Sequence, residues 1–313
     1  MTIIFDGLLL FLLFLLLGIL ADFLVENVTH IGKALRIRIF TFGILLGLVT
    51  TLPELFLGIK ASIDQVGALS VGNILGGVVV ILGLVLGISL IFHREILTHS
   101  KLSSLLPMIF VIFSPILFGL DGSFGLFDGI SMIGLYFSLI FYLYQKNHFG
   151  NSFGFGIINR NTLNKALFLS VSSIIGILIT SHFIVERTLH LLESIDVNEF
   201  IIGLLVFSFG TNLPEIIIAI TSWKKKVFDL SLSHILSSTF TQVLVLGILA
   251  VFQPIYFKID VNYWVTAFFL GITLLLFAYF YHSDKKMERR EGWIVVCVYF
   301  LFILTSFYFG LFL

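Results

Sequence analysis

Thr50-Thr51-Leu52-Pro53-Glu54 and Thr211-Asn212-Leu213-Pro214-Glu215 lie within long apolar runs and repeat nearly the same message. Each puts a carboxylate and a helix-breaking proline where hydrocarbon is expected. A charge at the bilayer centre costs roughly 2.5–3.5 kcal/mol on insertion scales, so it is kept there for a purpose. Two such motifs in matching contexts point to a cation site assembled from two halves of one chain.

The runs around these motifs set the class. The chain has 313 residues, 58% of them apolar and 12% charged, with a mean hydropathy of +1.12. Globular domains sit at about 45–50% apolar and about 25% charged, so the composition is that of an all-α integral membrane protein. At roughly 20 residues per span the runs amount to about ten transmembrane helices. They are expected near 3–25, 39–63, 70–92, 104–120, 126–144, 166–192, 199–223, 230–253, 261–282 and 292–313. Unbroken runs of this length exclude an outer-membrane barrel, whose strands alternate. The first run lacks a basic flank, so a cleaved signal peptide is not expected. The single Cys297 forms no internal disulfide and is expected to pack as a small apolar residue.

Basic residues set the orientation. With the N-terminus outside, cytoplasmic loops carry fifteen of the eighteen Lys and Arg residues, leaving Lys60, Arg187 and Lys258 on the other side. The positive-inside rule then places both termini outside a multi-pass protein of the plasma (inner) membrane. Membrane lipid is the expected partner, and the Lys224–Lys226 run reads as an anchor at anionic lipid. Neither nucleic acid nor an obligate protein partner is implied. With no nucleotide-binding motif, HExxH or serine-nucleophile elbow, neither ATP-driven transport nor a membrane enzyme is expected.

The chain matches itself. Glu54 aligns with Glu215 at an offset of 161, and Asn73, Gly77 and Ile81 then fall on His234, Ser238 and Gln242. At an offset of 160, Asp22-Phe23-Leu24-Val25-Glu26 matches His182-Phe183-Ile184-Val185-Glu186. Three matches in order argue for duplication. Halves of five helices each, 1–145 and 166–313, must enter the membrane from opposite sides, giving an inverted repeat joined by a cytoplasmic linker at 146–165.

Gly47, Thr50 and Glu54 are spaced i, i+3, i+7 on one helix face, and Ser208, Thr211 and Glu215 repeat that spacing. Pro53 withholds a hydrogen bond from the carbonyl of Val49, and Pro214 from that of Gly210. Freed carbonyls in a membrane must face protein or a watery cavity. A carboxylate, a hydroxyl and a free carbonyl are the oxygen donors that Ca²⁺ and Na⁺ take. Behind each motif runs a second helix, Gly72-Asn73-Ile74-Leu75-Gly76-Gly77 and Ser233-His234-Ile235-Leu236-Ser237-Ser238. Glycines four apart permit close helix packing. Ser238 and Gln242 are either ligands or helix-to-helix hydrogen bonders. His234 is either a neutral bridge between helices or a titrating group.

The paired Leu-Pro-Glu motifs, each followed 18 residues later by Gly-Asn or Ser-His, resemble the α-repeats of the sodium/calcium exchanger family within the Ca²⁺:cation antiporters. The family motif is usually Gly-Thr-Ser-Leu-Pro-Glu, and Gly210–Glu215 is the closer copy. The resemblance covers essentially the whole chain. It implies alternating-access exchange of Ca²⁺ against Na⁺, with H⁺ as the alternative coupling ion and no bound cofactor. It implies Glu54 and Glu215 as the central ligands, with Gly47, Thr50, Thr51, Ser208, Thr211 and Asn212 lining the site through hydroxyls, amide or carbonyls. The departures are Ile81 and Gln242 at positions where the family places Asn or Asp, and Gly77 where it places a small hydroxyl. They define the rival reading, a non-transporting relative acting as scaffold or regulator.

Overall fold

A computed structural model describes residues 2–34, 39–93, 95–97, 102–145, 160–192, 198–213, 215–216, 228–283 and 286–312. Each apolar run folds as helix, since lipid offers the backbone no hydrogen-bond partner outside its own segment. We number ten helical segments. The first five are α1 (Thr2–Ala34), α2 (Ile39–Thr50 then Leu52–Ile63), α3 (Gly67–Val79, a π-helical stretch Val80–Val85, then Leu86–His93), α4 (Leu102–Phe118) and α5 (Leu126–Gln145). The second five are α6 (Arg160–Leu192), α7 (Glu199–Ile202, a π-helical stretch Gly203–Phe207, then Ser208–Thr211), α8 (Phe228–Phe252), α9 (Val261–His282) and α10 (Arg289–Phe312).

Eight of these helices are long and apolar enough to cross a membrane, and the stretches Leu105–Asp121 and Glu199–Thr211 are shorter apolar helices. The chain is therefore an all-α, multi-pass membrane protein. The expected continuation of α7 through 217–223 and the linker residues 146–159 lie outside the described residues. α6 begins at Arg160, within the stretch read as linker. α1 runs on to Ala34, past the expected end at 25. Its polar residues Asp22, Glu26 and His30 recur every four positions on an exposed face, which interrupts the apolar run without breaking the helix.

Helix pairs come in exchanged sets. α2 packs on α8 as α7 packs on α3, while α8 packs on α5 as α3 packs on α10. α1 lies against its own counterpart, α6. Two short ladders follow the same exchange: β1 (Glu95–Leu97) pairs with β4 (Lys286–Glu288), and β2 (Ser123–Phe124) with β3 (Ile255–Tyr256). Each ties a loop of one half to a loop of the other.

Glycine makes the α3–α7 crossing possible. A Cβ on Gly72 would stand 2.0 Å from the Phe200 carbonyl oxygen, and one on Gly203 would stand 2.1 Å from that of Leu69. Backbones meet here directly, as small residues allow in membranes. The turn from α2 to α3 closes as a Schellman motif, with Val66 N–H bonded to Ala61 O at 2.9 Å and Gln65 N–H to Ser62 O at 3.1 Å. Gln65 takes the left-handed position of that motif at φ 64°. Lys60 meets Asp64 one turn on, its Nζ 2.6 Å from Oδ1. Cys297, expected to pack, is exposed on α10, because its neighbours Val295 and Val296 take the buried face.

Candidate functional site

The two motifs break their helices in the same way. Thr51 has φ −89°, ψ 4°, and Asn212, its match at an offset of 161, has φ −88°, ψ 11°. Both lie in the bridge region between helix and strand. Pro53 then lies in the first turn of the second piece of α2, where a missing N–H costs nothing. Pro214 lies outside the described residues. Glu54 falls in the first turn of that piece, where the positive end of the helix dipole favours a carboxylate.

Side chains close the break. Thr51 Oγ1 donates to Gly47 O at 3.0 Å, and Asn212 Nδ2 donates to Ser208 O at 2.7 Å, again at matching positions. Gly47 O also accepts from Thr50 Oγ1 at 3.2 Å and from Thr51 N–H at 3.2 Å. These carbonyls, candidates for lining a site, are engaged within their own helices. The Ser208 hydroxyl likewise donates to Leu204 O, inside the π-helical stretch, at 2.5 Å.

Across the halves the contacts are reciprocal. Thr211 Oγ1 donates to Asn73 Oδ1 at 3.1 Å, and Thr50 Oγ1 meets His234 Nε2 at 3.4 Å. Asn73 and His234 are themselves a matched pair. Gly47 abuts Ser237 and Gly76 abuts Ser208 in the same exchanged manner. The Thr211 hydroxyl lies beside the Glu54 carboxyl and the Thr50 hydroxyl beside that of Glu215.

All ten residues singled out in the sequence are therefore brought to one buried place, Glu54, Thr50, Thr211, Asn212, Ser238 and Gln242 being 0% exposed and Thr51, Ser208 and Glu215 1%. Gly47 is buried with them. Ser238 does two jobs, meeting Thr50 Oγ1 at 3.0 Å and donating to Glu215 Oε1 at 3.4 Å. Gln242 Nε2 donates to Glu54 Oε1 at 3.3 Å. Thr239 and Thr241 turn away, each hydroxyl bonded to a carbonyl of its own helix at 2.7 Å. Asn73 is the residue that sequence reasoning passed over, although it occupies the position matching His234.

Four oxygens in this cluster are buried without a hydrogen-bond partner: Glu54 Oε2, Glu215 Oε2, Asn212 Oδ1 and Gln242 Oε1. A buried acceptor without a partner costs about 1–3 kcal/mol, more when charged. Here two carboxylates and two amides carry that cost together. Among the described residues no Lys or Arg is buried, so no base offsets the carboxylates. An oxygen cage of this kind suits a hard cation such as Ca²⁺ or Na⁺.

Known proteins are similar to this chain over nearly its whole length. The chain is 24% identical to Sodium/calcium exchanger MaX1 of Methanosarcina acetivorans, covering 98% of this chain and 99% of that protein. It is 26% identical to Uncharacterized membrane protein MJ0091 of Methanocaldococcus jannaschii over 90% of this chain and 92% of that protein. Its fold matches a solved structure of the sodium-calcium exchanger NCX_Mj, soaked with Na⁺ and Sr²⁺, at a TM-score of 0.69 and 24% identity, covering 96% of this chain and 98% of that one. A model of the family described as "Sodium/calcium exchanger protein" matches residues 6–145 and 165–308. That match spans nearly the whole chain, and this protein therefore belongs to the sodium/calcium exchanger family, whose members are membrane transporters and not enzymes.

Proposed function

We propose that this protein exchanges Na⁺ for Ca²⁺ by alternating access, with Glu54 and Glu215 as the charged ligands of one shared cation site. The carrying observation is the set of four buried, unpartnered oxygens supplied by both halves. Ca²⁺ takes six to eight oxygens at about 2.3–2.6 Å. Glu54, Glu215, Asn212 and Gln242 supply the free acceptors, and the hydroxyls of Thr50, Thr211 and Ser238 complete the shell. Thr51, Ser208 and Gly47 line it and hold the helix breaks in shape.

The same reading takes the halves 1–145 and 166–313 as inverted repeats meeting at the midplane, with both termini outside the plasma membrane. Inversion gives a simple mechanism, since rocking one half against the other exposes a fixed site alternately to each face. The exchanged helix pairs support it.

Proton coupling is the second reading, and one feature favours it. His234 Nε2, Thr50 Oγ1, Ser238 Oγ and Glu215 Oε1 form an unbroken chain of contacts from imidazole to carboxylate. Flux of ⁴⁵Ca²⁺ into proteoliposomes separates the two. Outward Na⁺ gradients at fixed pH should drive uptake, and robust uptake with a pH gradient and no Na⁺ would transfer the assignment to protons.

The non-transporting alternative makes a different prediction. A protein that binds Ca²⁺ only when folded is stabilised by about 2.7 kcal/mol at a hundredfold excess over Kd. A thermal melt in Na⁺-free detergent should therefore rise on adding Ca²⁺. An unchanged melt across millimolar Ca²⁺ would mark a dead site.

A further inference from the structure

Four side chains of α8 reach across to α2. His234 Nε2 and Ser238 Oγ meet the Thr50 hydroxyl at 3.4 and 3.0 Å, Gln242 Nε2 donates to Glu54 Oε1 at 3.3 Å, and Ser237 Oγ donates to Gly43 O at 2.7 Å. At the offset of 161 these four positions fall on Asn73, Gly77, Ile81 and Gly76 of α3. Of that set Asn73 alone has a polar side chain, and it accepts from Thr211 Oγ1 of α7. Among the described residues, these matched positions give the α2–α8 crossing four polar links and the α3–α7 crossing one. Three of the four end on residues assigned to the cation site. The link from Ser237 does not.

Ser237 is 2% exposed and lies against Gly47, where a Cβ would stand 2.8 Å from its Oγ and 3.0 Å from its carbonyl carbon. Glycine at 47 therefore lets the hydroxyl reach the carbonyl one turn earlier on α2. The matching contact, Ser208 against Gly76, has the two residue types exchanged. There the serine hydroxyl donates to Leu204 O of its own helix, and Leu204 is the position that matches Gly43. Both carbonyls thus receive a serine hydroxyl, from the opposite half at Gly43 and from within α7 at Leu204.

The bond to Gly43 ties two helices and caps nothing. Gly43 O lies inside a helix and has the N–H of Gly47 as its regular partner. A serine hydroxyl carries one proton, and that of Ser237 also has His234 O of its own helix within reach at 2.9 Å. Losing the cross-half bond would orphan neither group, so its effect falls on where α2 sits and hardly on whether the chain folds. Gly43 stands one turn ahead of Gly47 and two turns ahead of the break at Thr51 that leads into Glu54. We infer that Ser237 is a positioning residue that holds the first piece of α2 on α8, making α2 the fixed arm of the cation site and α7 the looser one. Its effect on Ca²⁺ rests on the exchanger reading, while the tie itself is testable without any ion.

Amide hydrogen exchange in ion-free detergent reads the tie. Ser237→Ala should speed exchange across residues 43–51 by about 2–10-fold, the bias that one net hydrogen bond supplies, while residues 204–212 keep the parent rates and the thermal melt stays put. In proteoliposomes the same variant should raise KM for Ca²⁺ by a similar factor and keep the maximal rate of uptake. Gly47→Ser combined with Ser237→Gly separates tying from capping. It returns a hydroxyl to Gly43 O from within α2, as Ser208 does for Leu204 O, and should behave like Ser237→Ala. Parent exchange rates across 43–51 in Ser237→Ala would overturn the tie, and a parent KM in either variant would remove Ser237 from the role assigned to it. If the double variant does not fold, Ser237→Ala still decides. A parent protein that neither binds nor carries Ca²⁺ overturns the exchanger reading, and the effect on KM with it, whatever the exchange rates show.

Discussion

Glu54→Gln and Glu215→Gln should each abolish Ca²⁺ binding without unfolding the protein, if the two carboxylates are the charged ligands proposed above. Glutamine keeps the shape of the side chain and removes its charge, so packing survives while the cation loses a carboxylate. Removing a partner behind a metal ligand already costs about 10–100-fold in affinity, and a ligand itself should cost at least 100-fold. Both glutamates are essentially inaccessible and lack a basic partner among the described residues. In ion-free buffer the variants should therefore melt at or above the parent temperature, because an uncompensated buried charge has been deleted. Isothermal titration with Ca²⁺ and a thermal melt read the two effects separately. A single Gln variant that binds Ca²⁺ like the parent would move the site elsewhere.

Gly72→Ala and Gly203→Ala have the largest expected effect on the fold. Each new methyl would meet a backbone carbonyl oxygen, at 2.0 Å for Gly72 and 2.1 Å for Gly203. Neither can be relieved by rotating a side chain, so α3 and α7 must separate. Overpacking of ordinary cores costs about 1–3 kcal/mol, and backbone clashes lie at or beyond the upper end. Because Thr211 bonds to Asn73 across this interface, ion binding should weaken as well. Gly7→Ala and Gly134→Ala are the controls, since a Cβ at either meets nothing within 4 Å. In these helix interiors alanine is favoured by up to about 1 kcal/mol. Melting temperatures in detergent compare all four. Similar melts for Gly72→Ala and Gly134→Ala would mean that the α3–α7 backbones do not meet as described.

The helices and both glutamates were legible because membrane physics leaves few alternatives. Long apolar runs must be helical, and a proline beside a buried carboxylate has no structural excuse in a membrane. The backbone break was legible in kind but not in detail. Its conformation is set at Thr51 and Asn212, residues whose side chains cap carbonyls of their own helix. The π-helical stretches at Val80–Val85 and Gly203–Phe207 leave no mark in the apolar pattern, since a shifted hydrogen-bond register needs no particular residue. Contacts between halves were the hardest to foresee. Thr50 meets His234 and Ser238 across 184 and 188 residues of chain. An offset in sequence shows which positions are equivalent, not which of them touch. Which oxygens remain unpartnered depends on rotamers, and these emerge only when the helices pack.

Anomalous scattering from Sr²⁺ tests the central claim most directly, because it locates a Ca²⁺ surrogate with no assumption about transport. Crystals of the protein soaked with Sr²⁺ in low Na⁺ should show one strong peak between Glu54 and Glu215, within about 2.3–2.8 Å of carboxylate oxygens from both halves. The free amide oxygens of Asn212 and Gln242 should turn toward it, and raising Na⁺ should displace it. A Sr²⁺ peak elsewhere in the molecule, with Glu54 and Glu215 unligated, would contradict the account.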